Sequence, residues 1–176
     1  MQNKPLHIAP NLVDKRKDVR LFGSYSAFKK PMTETIILSI VSLIMLAFTL
    51  KKGNKRTSML TAGLTIGILI TWSRAPTIIT VGMITYMLTA LMISVKNLRS
   101  KELSKLNQAT IILSGMWALG ANLFSIMHWP YAGEIRLSMI IPITFYVISL
   151  FNGMTKRREL GYLTIMNVEF ALRLIR

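Results

Sequence analysis

The sequence predicts an all-α integral membrane protein, and its apolar residues and its charges both point to that class. Of the 176 residues, 52% are hydrophobic, and the mean hydropathy is +0.46. These residues are concentrated in blocks, whereas a soluble domain would spread them along the chain. Five blocks contain no Asp, Glu, Lys or Arg, and they cover residues 35–50, 59–72, 77–95, 109–127 and 137–151.

The block lengths predict five apolar helices, of which four or five cross the bilayer. Two blocks are 19 residues long, which is about 28 Å at ~1.5 Å per residue and matches a hydrocarbon core of roughly 30 Å. The other three are shorter and need flanking polar residues or local thinning to cross. Pro142 lies inside the last block and predicts a kink there, because proline removes a helical hydrogen bond.

The charge pattern predicts a membrane partner instead of nucleic acid. The formal net charge is +15, and the Lys and Arg residues stand between the apolar blocks. Such loops are typical of chains whose positive charge stays on the cytoplasmic side. No aromatic stacking platform or recognition helix accompanies the charge, so nucleic-acid binding is not expected. Anionic lipid head groups are the expected first partners.

Counting basic residues leaves the orientation of the first block open. The N-terminal tail has seven basic residues. The segments that follow the five successive blocks have four, one, four, one and five basic residues. Five spans with the N-terminus outside place 13 basic residues inside and nine outside. If block 35–50 does not cross, 20 basic residues lie inside and two lie outside. The positive-inside rule favours that distribution. Block 35–50 has no polar face, however, so we expect it to be embedded, either as a span or as a re-entrant helix.

The sequence divides into a polar, basic tail at 1–33, a helical membrane domain at 34–152, and a basic linker with an amphipathic segment at 153–176. In the last segment Tyr162, Met166 and Phe170 share one helical face, which Asn167 and Arg173 oppose. This pattern predicts an amphipathic helix at the membrane surface or a docking segment for a partner. Residues 168–174 also alternate with period two, so a strand is the alternative, although the residue types favour a helix.

Two helical hairpins are predicted within 59–151, each turning at a corner with Trp and Pro. The corners are WSRAP at 72–76 and HWPYA at 128–132, and both lie in weakly charged segments. Small residues precede them at helical spacing, which allows close approach of helix backbones. We expect packing within one chain, with a dimerisation face as the alternative. The predicted helix-packing residues are Gly63, Gly67, Ser114, Ala118 and Ala121.

The run LFSIMHWPYA at 123–132, preceded by Gly115 and Gly120, resembles the corner of GldL, the inner-membrane stator protein of the Bacteroidota gliding and type nine secretion motor. It also resembles smaller membrane proteins that use the same hairpin. The resemblance covers about residues 109–152 and implies a multi-pass protein of the bacterial inner membrane. It assigns the corner motif to His128, Trp129 and Pro130. The stator's membrane-embedded Glu has no counterpart near Pro142, so proton conduction is not expected.

The residue inventory predicts a non-enzymatic protein without catalytic residues, cofactor or metal. The chain has no Cys and two His, and the five blocks hold no acid, so a metal site or a histidine-based catalytic set lacks ligands. The expected function is a scaffold or accessory subunit that contacts other membrane subunits or a second copy. The alternative is a small channel, transporter or membrane enzyme with an outer-face site at His128, beside three predicted outer-edge charges, Arg74, Glu134 and Arg136.

Overall fold

The computed structural model describes residues 32–52, 54–73, 75–98, 103–127 and 132–175, and these residues form helices joined by short turns. The tail 1–31 and corner residues 128–131 lie outside the described part. In chain order the elements are α1 (Met32–Lys52), α2 (Lys55–Ile70), α3 (Pro76–Leu98), α4 (Lys105–Met127), α5 (Ala132–Ser138), α6 (Ile140–Phe151), a 3-10 turn (Met154–Lys156) and α7 (Leu160–Ile175). The prediction of an all-α protein is confirmed.

Three helices are long and apolar enough to cross a membrane: α1 from Thr33, α3, and α4. The first apolar block therefore lies in one continuous helix of 21 residues. Helix α2 has 16 residues, and α6 belongs to a shorter apolar segment, Arg136–Phe151. Of the three shorter blocks, 35–50 thus lies in a helix of spanning length, whereas 59–72 and 137–151 lie in shorter helices.

The last apolar block is divided between two helices at the place where Pro142 predicts a kink. Helix α5 ends at Ser138 and α6 begins at Ile140, with a turn at Met139 between them. Pro142 has no N–H to donate to the carbonyl of Ser138, four residues earlier, so the helical ladder cannot continue through this point. Across the same turn the indole N–H of Trp117 on α4 donates to the Ser138 hydroxyl at 3.0 Å, which ties the break to α4.

Glycines let α2 and α3 approach closely. A Cβ atom on Gly67 would lie 3.0 Å from the carbonyl oxygen of Gly82, and one on Gly63 would lie 2.8 Å from Oγ1 of Thr89. The Gly63 and Gly67 pair therefore packs against α3 of the same chain. Gly115 of α4 similarly meets Ser94 of α3. This arrangement corresponds to the expected packing within one chain.

The C-terminal helix α7 occupies the centre of the bundle and contacts all six other α-helices. Tyr162, Leu163, Ile165, Met166 and Phe170 are fully buried. The structure confirms the helix over the strand alternative, but the predicted position at the membrane surface or at a docking site is wrong. The reason is that Asn167 and Arg173, on the polar face of the predicted helix, find polar partners on α4.

The helices alternate in direction and define two ends of the bundle. At the basic end, α1 leads into α2, α3 into α4, and α6 into α7 through the 3-10 turn. At the corner end lie the start of α1, the α2–α3 and α4–α5 connections, and the end of α7. Contacts at both ends support this order, since Lys52 meets Thr155 at the basic end and Trp72 meets Ser39 towards the corner end.

Glycine substitutions should separate closely packed positions from open ones. Gly67→Ala places a methyl group against the α3 backbone, where overpacking typically costs about 1 to 3 kcal/mol. Gly120→Ala is the matched control, because a Cβ atom at that position has no atom within 4 Å. We expect Gly67→Ala to lower the thermal unfolding midpoint in detergent, and Gly120→Ala to leave it unchanged or raise it slightly. Equal effects of the two substitutions would contradict the packing of α2 on α3.

Candidate functional site

Polar side chains of α7 connect this helix to three neighbours along most of its length. Near the basic end the Asn97 amide of α3 donates to the Tyr162 hydroxyl at 3.1 Å. The hydroxyls of Thr164 and of Tyr146 on α6 lie 2.8 Å apart. One turn on, the Asn167 amide donates to the Ser114 hydroxyl of α4 at 3.2 Å. The bundle centre therefore contains a continuous series of interhelical hydrogen bonds.

The series ends in a cluster of five residues, named here the Arg173 cluster: Tyr86, Asn122, Ser125, Glu169 and Arg173. The Arg173 guanidinium donates to the side-chain oxygen Oδ1 of Asn122 at 2.7 Å and to Oε1 of Glu169 at 2.5 Å. Its other terminal nitrogen reaches the Ser125 hydroxyl at 3.4 Å. Glu169 is 4% exposed, and the Arg173 side chain is 15% exposed. The ion pair is thus almost entirely removed from solvent.

Tyr86 of α3 belongs to the cluster by position. It is 4% exposed, and its hydroxyl lies within electrostatic range of the Glu169 carboxylate and the Arg173 guanidinium. Asn122 stands five residues before the end of α4, and Tyr86 stands ten residues after the start of α3. At ~1.5 Å per residue these positions lie about 8 Å and 15 Å from the corner end. The cluster therefore occupies the corner half of the bundle.

The cluster adds a buried acid that the five apolar blocks do not contain. None of the five apolar blocks contains one, but α7 brings Glu169 into the interior from outside those blocks. A buried carboxylate is tolerated only where a cation or hydrogen-bond donors compensate it. Arg173, one helical turn away, supplies that compensation and makes the pair electrically neutral. The arrangement joins α3, α4 and α7 at one point.

Most hydroxyl groups on the apolar helices bond to their own backbone. Thr61, Thr65, Thr80 and Thr85 each donate to the carbonyl four residues earlier, at 2.9 to 3.0 Å. Asn122 differs, because an amide within an apolar helix needs a partner from another helix. It accepts from Arg173 and donates to the Ala118 carbonyl at 2.8 Å.

The other predicted site residues fall into three groups. The small residues Ser114, Ala118 and Ala121 of α4 are buried in the bundle. Glu134 is exposed on α5, and Arg136 is partly buried on the same short helix. The remaining predicted residues, Arg74, His128, Trp129 and Pro130, lie outside the described part of the chain.

An apolar pocket of about 320 Å³ lies between α4 and the end of α5. Its lining residues are Met116, Trp117, Gly120, Ala121, Phe124 and Ser138. Among the residues that the structure describes, no group of three His, Cys, Asp or Glu side chains is placed to hold a metal ion. The Arg173 cluster, with its buried ion pair, is therefore the candidate polar site among the described residues.

The sequence analysis did not identify Tyr86, Glu169 or Arg173 as members of one site. One sequence pattern could have indicated the ion pair. Glu169 and Arg173 are four residues apart on one helical face, and the apolar residues Val168, Phe170 and Leu172 stand next to them in the sequence. An opposite-charge pair at that spacing is stable on a helix surface as well as in an interior. Only the contacts with Asn122 and Tyr86 show that this pair is internal.

Removing one member of the ion pair should be more harmful than removing both. Arg173→Gln leaves the Glu169 carboxylate buried without its cation, and breaking such a pair typically costs about 3 kcal/mol or more. The double variant Glu169→Gln with Arg173→Gln leaves no buried charge, so we expect it to recover part of that loss. The measurement is the unfolding midpoint of the purified protein in detergent.

Lys96→Gln is the matched control for charge, because Lys96 is an exposed basic residue of α3. We expect its midpoint to stay close to that of the unmodified protein. If the decreases in unfolding midpoint caused by the single substitutions at 169 and 173 simply add in the double variant, the result would contradict a coupled pair.

Comparisons with protein-family models, with curated proteins and with solved structures find no match to this chain. Its function is therefore inferred from its own residues and from the contacts between its helices.

Proposed function

We propose that this chain is a non-enzymatic, multi-pass protein of the bacterial inner membrane that acts as a scaffold or accessory subunit of a membrane complex. The proposal rests on one observation, which is that the polar groups of the interior form hydrogen bonds within and between the helices. Asn97, Ser114, Asn122, Asn167 and Arg173 all bond helix to helix or to their own backbone. Groups engaged in this way hold a bundle together, as a scaffold requires.

The outer surface of the bundle supports the membrane location. Large apolar side chains are exposed along several helices, among them Ile44 on α1, Met92 on α3 and Ile140 on α6. A soluble monomer rarely exposes apolar surface on this scale, whereas hydrocarbon tails are a suitable environment for it. Together with three helices of spanning length, this surface favours several crossings of the bilayer.

The positions of the charges favour a cytoplasmic basic end. The connections at the basic end carry the basic residues of 51–56, 96–105 and 156–158, whereas those at the corner end contain Arg74 and Arg136. Positive charge in short loops is retained on the cytoplasmic side. In this orientation the start of α1 and the end of α7 lie on the outer side, because α7 returns to the corner end.

This topology can be tested directly, because the chain has no Cys. Single cysteines at Ser73 and Ile175 should react with a membrane-impermeant thiol reagent added to intact cells. Cysteines at Thr155 and Lys105, which are exposed at the basic end, should react only after the cells are opened. Protection of Ile175→Cys together with labelling of Ser73→Cys would show that α7 does not return to the outer side.

A role in secretion or gliding rests on the resemblance of residues 123–132 to the stator corner, and it forms part of this proposal. Partners in such a role are other membrane subunits or a second copy. The apolar surfaces of the bundle are suitable for such contacts, since interfaces within lipid are apolar and closely packed.

A channel or transporter is the second candidate function. The buried carboxylate of Glu169, within the Arg173 cluster, is the observation that favours it. Ionisable residues inside a membrane protein often mark an ion or proton path, and Glu169 is such a residue. Its partners argue for a structural role, because the Arg173 guanidinium neutralises it. An outer-face site at His128 would belong to the same class of function.

Purification and reconstitution distinguish the two candidates. A scaffold subunit should migrate within a larger assembly after mild extraction, and the protein alone should not make vesicles permeable to protons or ions. Conductance or uptake by vesicles that contain only this protein, abolished by Glu169→Gln, would overturn the scaffold proposal. Leu88→Gln, on the exposed face of α3, is a control for a polar substitution that lies away from the cluster.

A further inference from the structure

The fold brings two basic segments, about a hundred residues apart in sequence, to one place at the basic end. The ammonium group of Lys52, at the end of α1, approaches the Thr155 carbonyl of the 3-10 turn at 3.5 Å. A second contact fixes the same two segments, because the Gly161 backbone of α7 packs directly on Thr49 of α1. The basic residues that follow α1 therefore lie beside those that precede α7.

Seven basic side chains form this surface, named here the basic cluster, and all seven are exposed. They form two arms, one at the α1–α2 connection and one at the 3-10 turn. The members are Lys51, Lys52, Lys55, Arg56, Lys156, Arg157 and Arg158. Within the described residues 45–60 and 150–165, Glu159 is the acidic residue. The cluster therefore carries a large excess of positive charge, which an anion must balance.

Large apolar side chains border both arms of the cluster. Leu50 precedes the first arm directly, and Met59 lies one turn into α2. Phe151, at the end of α6, is 87% exposed. An anion that suits this surface carries its charge at one end and hydrocarbon at the other. That combination describes a phospholipid better than it describes free phosphate or a nucleic acid.

We propose that the basic cluster binds an anionic phospholipid whose head group carries two phosphates, as in cardiolipin. One phosphate meets the arm 51–56, and the other meets the arm 156–158. The acyl chains lie along Leu50, Met59 and Phe151. The inference rests on the proposed membrane location and adds a specific lipid to it. Bound there, the lipid connects α1 to the turn before α7, next to the contact between Lys52 and Thr155.

The test uses the purified full-length protein and measures lipid binding by native mass spectrometry. Cardiolipin is compared with phosphatidylglycerol at equal total phosphate, and pyrophosphate serves as a soluble competitor. We expect cardiolipin to bind at least about tenfold more tightly than phosphatidylglycerol, because two linked phosphates engage both arms at once. Pyrophosphate should not displace it.

Substitutions in either arm should weaken cardiolipin binding. The pairs Lys51→Gln with Lys55→Gln and Arg157→Gln with Arg158→Gln each remove two charges, and we expect each pair to lower the affinity by about tenfold. The matched control is Lys96→Gln with Lys105→Gln, which removes two exposed charges from α3 and α4 at the same end. The unfolding midpoint without lipid should be the same for all three variants, which shows that the fold is intact.

Three results would overturn the lipid site: equal loss of binding in the control variant, equal affinity for phosphatidylglycerol, or displacement by pyrophosphate. Extraction of membranes with alkaline carbonate is measured first and tests the proposed location separately. Release of the protein into the carbonate would overturn the membrane location itself. Retention combined with non-selective lipid binding would overturn only the lipid site.

Discussion

The Arg173 side chain provides the constraint on which the arrangement of α7 depends. A guanidinium group cannot be neutralised by losing its proton, so once inside the bundle it must be matched by acceptors. Glu169, Asn122 and Ser125 provide these acceptors from α7 itself and from α4. Because the acceptors on α4 have fixed positions, they fix both the depth and the rotation of α7. The apolar residues of the helix, such as Phe170 and Met166, then pack where that rotation places them.

Close contact between the surrounding helices makes the interior suitable for this charge pair. Gly67 and Gly82 bring α2 and α3 together, and Gly115 brings α3 to α4. Backbones that approach so closely exclude water and strengthen each polar contact beside them. The same exclusion makes an unmatched charge costly, so the small residues and the Arg173 cluster depend on each other. In this respect the small residues of α4, including Ser114 and Ala118, serve the contact with α7.

The two ends of the bundle differ in how their charge is satisfied, and this difference supports a membrane role. Near the corner end the charge of Arg173 is matched internally by Glu169. At the basic end the charges of the basic cluster are exposed and exceed those of the acidic residues nearby. A surface of that kind is balanced by the environment, and a membrane supplies anionic head groups at that depth.

The sequence by itself determined the helical class, the five uncharged apolar blocks, a distortion near Pro142 and the grouping of basic residues between the blocks. These features depend on local composition and on spacing along one chain. Asn122 lies within the apolar block 109–127, where an amide needs a polar partner. The position of α7 and the identity of that partner were decided only by the tertiary structure. An amphipathic pattern shows that one face differs from the other, but a polar face can contact water or the polar groups of other helices. Asn167 and Arg173 face inward because Ser114, Asn122 and Ser125 lie on the adjoining surface of α4, and residues so distant in sequence meet only in the folded chain.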